Sequence, residues 1–308
     1  MWNRFASVLT ASALALAAGA ALAQPDSAKA PATPSEPTAV SGVTVEVAPT
    51  PKVIERQSRD FTQSFAVTPN TERNQLVRWR DPICVQVMGL LDAQARLVKT
   101  RIEEVAKAVD VPVAKTGCSA NIEIVFTERP QDLMDLVAKK RELVLGYYHR
   151  HDHDRLKQVT RPIQAWYVTA VRIRDRRAIV ADPENQTGGC SIEERVFACP
   201  ESMYENALVV ADSRALKGRD VGLLSDYLVM LTLGPPRALD GCMSLPSVID
   251  ALSAASCPHD RPDGLTPGDA AYLMALYKAN LNYTAQFAET DISQRMAKIL
   301  INANQASK

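Results

Sequence analysis

Ile83, Val85 and Val87 alternate with Cys84 and Gln86, the two-residue period of a half-buried strand. Leu91, Ala95, Val98, Ile102, Val105 and Val109 then recur at steps of four and three, while Asp92, Arg96, Lys99, Glu103 and Lys107 fall elsewhere. That spacing predicts an amphipathic helix. Ile122, Ile124 and Phe126 restore the alternation and predict a second strand. Pro130 suits the first turn of a helix, with Leu133, Leu136 and Val137 on the expected buried stripe. Residues 163–173 predict a long strand with Trp166 and Tyr167 on opposite faces, and 207–211 a short buried one.

From 221 to 233 the chain is apolar on nearly every side, with Asp226 as the only charge before Gly234-Pro235-Pro236. At that length it predicts a core helix rather than a membrane span. Three helical pieces follow: 246–252; a helix capped by Thr266, with Pro267 first and Asp269 in its first turn, running to about Ala279; and 291–302 with Ile292, Met296, Ile299 and Leu300 on one stripe. The expected fold is α+β, a mixed sheet of about four strands with helices mainly on one face.

Ahead of this pattern lies different chemistry. Arg4, the small apolar run 7–20 and Ala21-Leu22-Ala23 have the order of a cleavable signal peptide, 1–23. No cysteine stands at the cleavage point for a lipid anchor, and no later segment is long and apolar enough to span a bilayer. Residues 24–58, rich in Pro, Ala, Ser and Thr, are expected to be a disordered tether. The folded domain is then 59–308, in the periplasm or secreted. Lys plus Arg equal Asp plus Glu at 35 each, and signal cleavage removes Arg4 to leave about −1. That balance excludes a basic nucleic-acid binder.

Export places the six cysteines where disulfides persist. Six permit 15 pairings; the expected one is sequential. Cys84 on the first strand and Cys118 just before the second meet if those strands are neighbours. Cys190 and Cys199 bracket a polar insert, and Cys242 and Cys257 bracket the 246–252 helix. No C-x-x-C pair exists for zinc or redox chemistry.

The candidate metal ligands are His149, His151 and His153, which alternate so that three imidazoles of an extended segment share a side; a solvated loop accounts for them equally. Catalytic motifs are missing. There is no G-x-S-x-G elbow and no phosphate-binding glycine loop. His259 lies in a segment expected to be an exposed loop, and nothing local joins it to Ser225 or Ser244. Asp212, Asp226 and Asp240 are scattered, with structural roles expected. Trp79, between Arg78 and Arg80, is expected to cover the sheet edge rather than stack on a ligand.

The blocks Arg78-Trp79-Arg80-Asp81-Pro82-Ile83-Cys84, Gly117-Cys118-Ser119-Ala120-Asn121, Asp226-Tyr227-Leu228-Val229-Met230-Leu231, Ser244-Leu245-Pro246-Ser247 and Thr266-Pro267-Gly268-Asp269 together resemble a group of exported alphaproteobacterial proteins without an assigned activity. The layout also resembles zinc-peptidase (zincin) domains, in which a sheet with one early helix precedes a buried H-E-x-x-H helix and a methionine turn. Aligning Gly234 with the glycine after that motif puts Tyr227, Leu228 and Leu231 at the His, Glu and His positions, and Cys242-Met243-Ser244 at the turn. The resemblance therefore implies a zincin-like scaffold without its zinc. The functional expectation is a non-catalytic binding or structural domain of the periplasm, with no cofactor and an envelope protein or peptide as partner. The alternative is a peptidase-like hydrolase with an unrecognised site.

Overall fold

The alternating segments do become neighbouring strands. In the computed structural model, described here for residues 49–67, 74–146, 152–173, 200–237, 239, 241–253, 255–281 and 284–306, β1 (Val85–Met88) runs parallel to β2 (Ile122–Thr127), joined through α2 (Asp92–Ala108), which follows α1 (Pro51–Phe65) in the chain. Next come α3 (Pro130–Lys140), a 3-10 turn at Glu142–Leu145, the short α4 (His153–Leu156), and the strands β3 (Ile163–Ile173) and β4 (Pro200–Asp212). The remainder is helical: α5 (Val221–Leu233), a 3-10 turn at Val248–Leu252, α6 (Pro267–Lys278) and α7 (Ala285–Ala306). The sheet order is β1-β2-β4-β3, with β4 parallel to β2 and antiparallel to the edge strand β3. This is the expected α+β architecture with a mixed four-stranded sheet.

Both faces of the sheet are covered, unequally. Ala207, Val209 and Ala211 join Ile122, Ile124, Phe126 and α1, α2, α5, α6 and α7 in the main core, whereas Leu208 and Val210 join Trp166, α3 and the Glu142–Leu145 turn in a smaller one. Trp166 and Tyr167 accordingly serve opposite faces. Double coverage explains why 207–211 reads as an unbroken apolar run. The strand itself is longer than that run. Its first half, Pro200–Asn206, pairs along its length with β3 and meets Arg78 on the other side through a single parallel bridge at Met203, and there Glu201, Ser202, Glu205 and Asn206 interrupt the pattern.

Two further boundaries and one buried face depart from expectation. Residues 51–58, read as tether, belong to α1, whose buried face is Ile54, Ser58, Phe61, Thr62 and Phe65. Two of those five are polar, but Ile54, Phe61 and Phe65 stand at helical steps of seven and four, so the stripe is written in the sequence behind the tether-like composition. Thr62 Oγ1 is satisfied internally, donating to the Ser58 carbonyl at 2.8 Å, while Phe61 and Phe65 stack at 4.7 Å and meet Tyr272 of α6 at 5.9 and 4.8 Å. On α3 the buried residues are Met134, Val137 and Ala138, and Leu136 is 48% exposed. Finally, α7 begins at Ala285, ahead of the expected start at 291.

The expected cap of α6 is realised in full. Thr266 Oγ1 accepts the Asp269 amide at 3.1 Å while Asp269 Oδ2 accepts the Thr266 amide at 3.1 Å. Asp269 also accepts from Ser247 Oγ at 2.6 Å and the Val248 amide at 2.9 Å, so one buried carboxylate ties α6 to the 3-10 turn. Disulfides Cys84–Cys118 and Cys242–Cys257 are present; Cys190–Cys199 lies outside the described residues. Asn121 reinforces the first: its Oδ1 accepts the Cys84 amide at 2.7 Å and its Nδ2 donates to the Pro82 carbonyl at 3.1 Å. Among the described residues no helix is long and apolar enough to cross a membrane. Val47–Lys308 forms one compact unit.

Candidate functional site

Helix α5 is the centre of the main core. Asp220 caps its start by accepting the Leu223 amide at 2.8 Å. A helix end leaves its last carbonyls without partners inside the helix. Here three side chains from elsewhere supply them: Tyr167 Oη donates to Leu231, Trp79 Nε1 to Thr232 and Tyr277 Oη to Leu233, each at 2.7 Å. Trp79 is thus a buried strut rather than a ligand platform, packed against Tyr204 at 5.6 Å.

Tyr227, Leu228 and Leu231, the positions that the sequence alignment set against a zinc-binding motif, face the core. Leu228 is fully buried, and Leu231 and Tyr227 nearly so. Two leucines offer no lone pair to zinc, and no carboxylate stands where the water-activating glutamate would. The adjacent Asp226 is committed: its Oδ1 receives Arg101 Nε at 2.5 Å and its Oδ2 the Leu265 amide at 2.9 Å. These residues do not fit a zinc ion.

A small cavity opens beside Tyr227, at the carboxyl end of the parallel strands. Its volume is about 210 Å³. Arg161 and Ile163 enter it from the start of β3, Leu216 and Arg219 from the turn after β4, and Ile249, Leu252 and Ser253 from the disulfide-closed 242–257 loop. Among the described residues, none that lines it is acidic. Tyr227 Oη makes no hydrogen bond to a described residue, and burial pushes its pKa up to about 12 against the opposing charge of Arg161. The phenol therefore stays protonated as a donor. The turn is rigid: Asp212 accepts the Arg214 amide at 2.9 Å, and the Asp212 amide donates to the Pro162 carbonyl at 2.8 Å. Asp212 is structural, as expected, while Asp240 lies outside the described residues.

Of the histidine cluster, His149 and His151 lie outside the described residues. His153 begins α4 with Nδ1 at 3.3 Å from Asp154 Oδ1, and Asp154 also meets Lys157 Nζ at 2.8 Å. The Lys157 and His153 hydrogen bonds hold the Asp154 carboxyl below its ordinary range. Among the described residues no group of three or more His, Cys, Asp or Glu is placed to hold a metal.

His259 corrects an expectation. Its side chain is only 16% exposed, with Nε2 at 3.3 Å from both the Met243 carbonyl and Oδ2 of the fully buried Asp250. Burial raises the Asp250 pKa, opposed by the Met243 amide, which donates to Oδ1 at 3.1 Å, and by His259. The Cys242–Cys257 bracket was the available signal, because it brings residue 259 back onto the turn that carries Asp250. Neither Ser225 nor Ser244 completes the pair. Ser225 Oγ donates to Val221 at 2.6 Å and Ser244 Oγ to Gln57 at 3.0 Å, both carbonyl acceptors. What sequence reasoning missed is the cavity itself, assembled from five separated segments.

Comparison of the chain with protein-family models, curated proteins and solved structures finds no match.

Proposed function

We propose that this chain is an exported, periplasmic domain that acts by binding or structural support without catalysis. The observation that carries the reading is the state of α5. The positions that hold zinc and activate water in a zincin are Tyr227, Leu228 and Leu231, buried in the core, and the last carbonyls of the helix are all taken by protein donors. The order of sheet, early helix, buried helix and a turn carrying the buried Met243 supports descent of the layout from a zincin-like scaffold. Two disulfides suit an oxidising compartment, and the signal-like segment 1–23 suits export. The arginine-lined cavity supplies a place to bind.

The test is a peptide-library cleavage assay on the purified chain, with and without added zinc. No cleavage in either arm is expected. Zinc-dependent cleavage would reject the reading in favour of a peptidase.

A further inference from the structure

Three electron-rich atoms converge beside the Cys242–Cys257 staple. His259 Nε2 stands 3.3 Å from Asp250 Oδ2 and 3.3 Å from the Met243 carbonyl oxygen. The staple holds them there, because Met243 follows one of its cysteines and His259 lies two residues past the other. On the far side of the ring, Nδ1 faces the Asp260 carbonyl at 3.3 Å. That acceptor draws the proton of the neutral imidazole to Nδ1 and leaves the Nε2 lone pair toward the two oxygens. A metal-binding histidine takes the same orientation from a carbonyl behind it. Asp250 is positioned in a similar way. The Met243 amide donates to Oδ1 at 3.1 Å and the Ser247 amide supports the carboxyl, while Oδ2, fully buried, has no hydrogen-bond partner among the described residues.

A buried carboxylate oxygen without a partner is costly. A proton on Nε2 would serve the Met243 carbonyl, and Oδ2 would still lack a hydrogen bond. A cation seated among the three atoms satisfies all of them at once. The spacing fits: a tetrahedral zinc ion with bonds of about 2.0–2.2 Å sets its ligands about 3.3–3.6 Å apart, and Nε2 has that separation from each oxygen. The donors fit as well, since imidazole selects zinc-like ions over magnesium or calcium, and the carboxylate supplies neutralising charge.

We propose that His259 Nε2, Asp250 Oδ2 and the Met243 carbonyl bind one divalent transition-metal ion of zinc type, with water completing its shell. The ion fastens residue 259 to the turn that carries Asp250. Two side chains and a carbonyl make an incomplete cage, so the expected affinity is micromolar rather than that of a structural zinc site. The inference goes beyond the binding reading and does not depend on it.

The test titrates zinc chloride and magnesium chloride, at neutral pH, into the purified, tag-free and EDTA-stripped chain with its disulfides intact. His149, His151 and His153 are replaced by alanine, which leaves His259 as the sole imidazole. Competition with a fluorescent zinc indicator reads the affinity. The ring NMR signals of His259 and the methyl signal of Met243 read the place. Zinc should saturate at one ion per chain with a Kd of about 1–100 µM and shift both residues, whereas magnesium should move neither up to about 10 mM. In this background His259→Gln should weaken zinc about a hundredfold or more and Asp250→Asn about tenfold or more. Should Asp250→Asn not fold, His259→Gln and the NMR signals decide. Four results would overturn the assignment and leave Asp250–His259 a plain ion pair: no saturation by zinc up to about 1 mM, saturation that shifts neither His259 nor Met243, unchanged affinity in His259→Gln, or displacement of zinc by an equal concentration of magnesium. The cleavage assay stands apart. Zinc held here without cleavage leaves the non-catalytic reading in place, and a chain that holds no zinc here overturns only this inference.

Discussion

The indole of Trp79 donates to the carbonyl of Thr232 at 2.7 Å across 153 residues of chain. Its neighbour Arg78 does the same for the next helix: Nη1 reaches the carbonyls of Leu276 at 2.7 Å and Ala279 at 3.0 Å. Two consecutive residues just ahead of β1 thus close the C-terminal ends of α5 and α6. Helix ends buried in a core need such partners, because no water reaches them.

Replacing Trp79 by Phe keeps much of the packing on Tyr204 but leaves the Thr232 carbonyl without its donor. An orphaned buried acceptor costs about 1–3 kcal/mol. Urea unfolding should show that loss with an unchanged slope. A midpoint equal to wild type would mean that the bond contributes nothing.

Gly89 follows β1 with φ of +84°, and a Cβ there would come 1.9 Å from the Phe126 carbonyl oxygen. The obstruction is backbone of the adjacent strand, so it cannot swing aside. Gly89→Ala should destabilise by about 3–5 kcal/mol or prevent accumulation of folded protein. Circular dichroism with thermal melting checks this, and a melt within a degree or two of wild type would contradict the geometry.

Cys242–Cys257 closes the loop that carries Ile249, Leu252 and Ser253. Replacing both cysteines by serine should lower stability by about 3 kcal/mol. Calorimetric unfolding checks this. A melting temperature equal to wild type would show that the loop holds without its staple.

Burial raises the pKa of Asp250 in the fold. For such a group the folded state is favoured while the carboxyl is protonated, and the stabilisation fades as pH rises from the ordinary carboxylate value of about 4 through the raised folded one. Asp250→Asn cannot ionise and keeps an oxygen for the Met243 amide. Between pH ~3 and ~7, the wild type should lose stability relative to Asp250→Asn. The buried Asp269, also raised by burial, is present in both proteins and cancels in the difference. Parallel stability–pH curves would show that Asp250 does not titrate in this window.

Local periodicity alone determined most of the elements. The steps from Leu91 to Val109, the alternation at Ile122–Phe126, the all-apolar stretch before Gly234 and the Thr266-Pro267 start each record what a short segment must bury, and burial patterning is written in the segment itself. Compartment-dependent pairing of Cys84 with Cys118 and Cys242 with Cys257 was legible for the same reason, since each pair closes a local unit. The buried face of α1 was legible as well, since Ile54, Phe61 and Phe65 stand at helical steps of seven and four, but the Pro-, Ala- and Ser-rich composition ahead of it hid that spacing. The Asp250–His259 pair and the cavity of Arg161, Arg219 and Tyr227 were decided only by tertiary structure. The pair meets across the disulfide-closed loop while the cavity draws on segments tens of residues apart, and the charge, depth and donors of such sites exist only once packing has brought their parts together and shut out water.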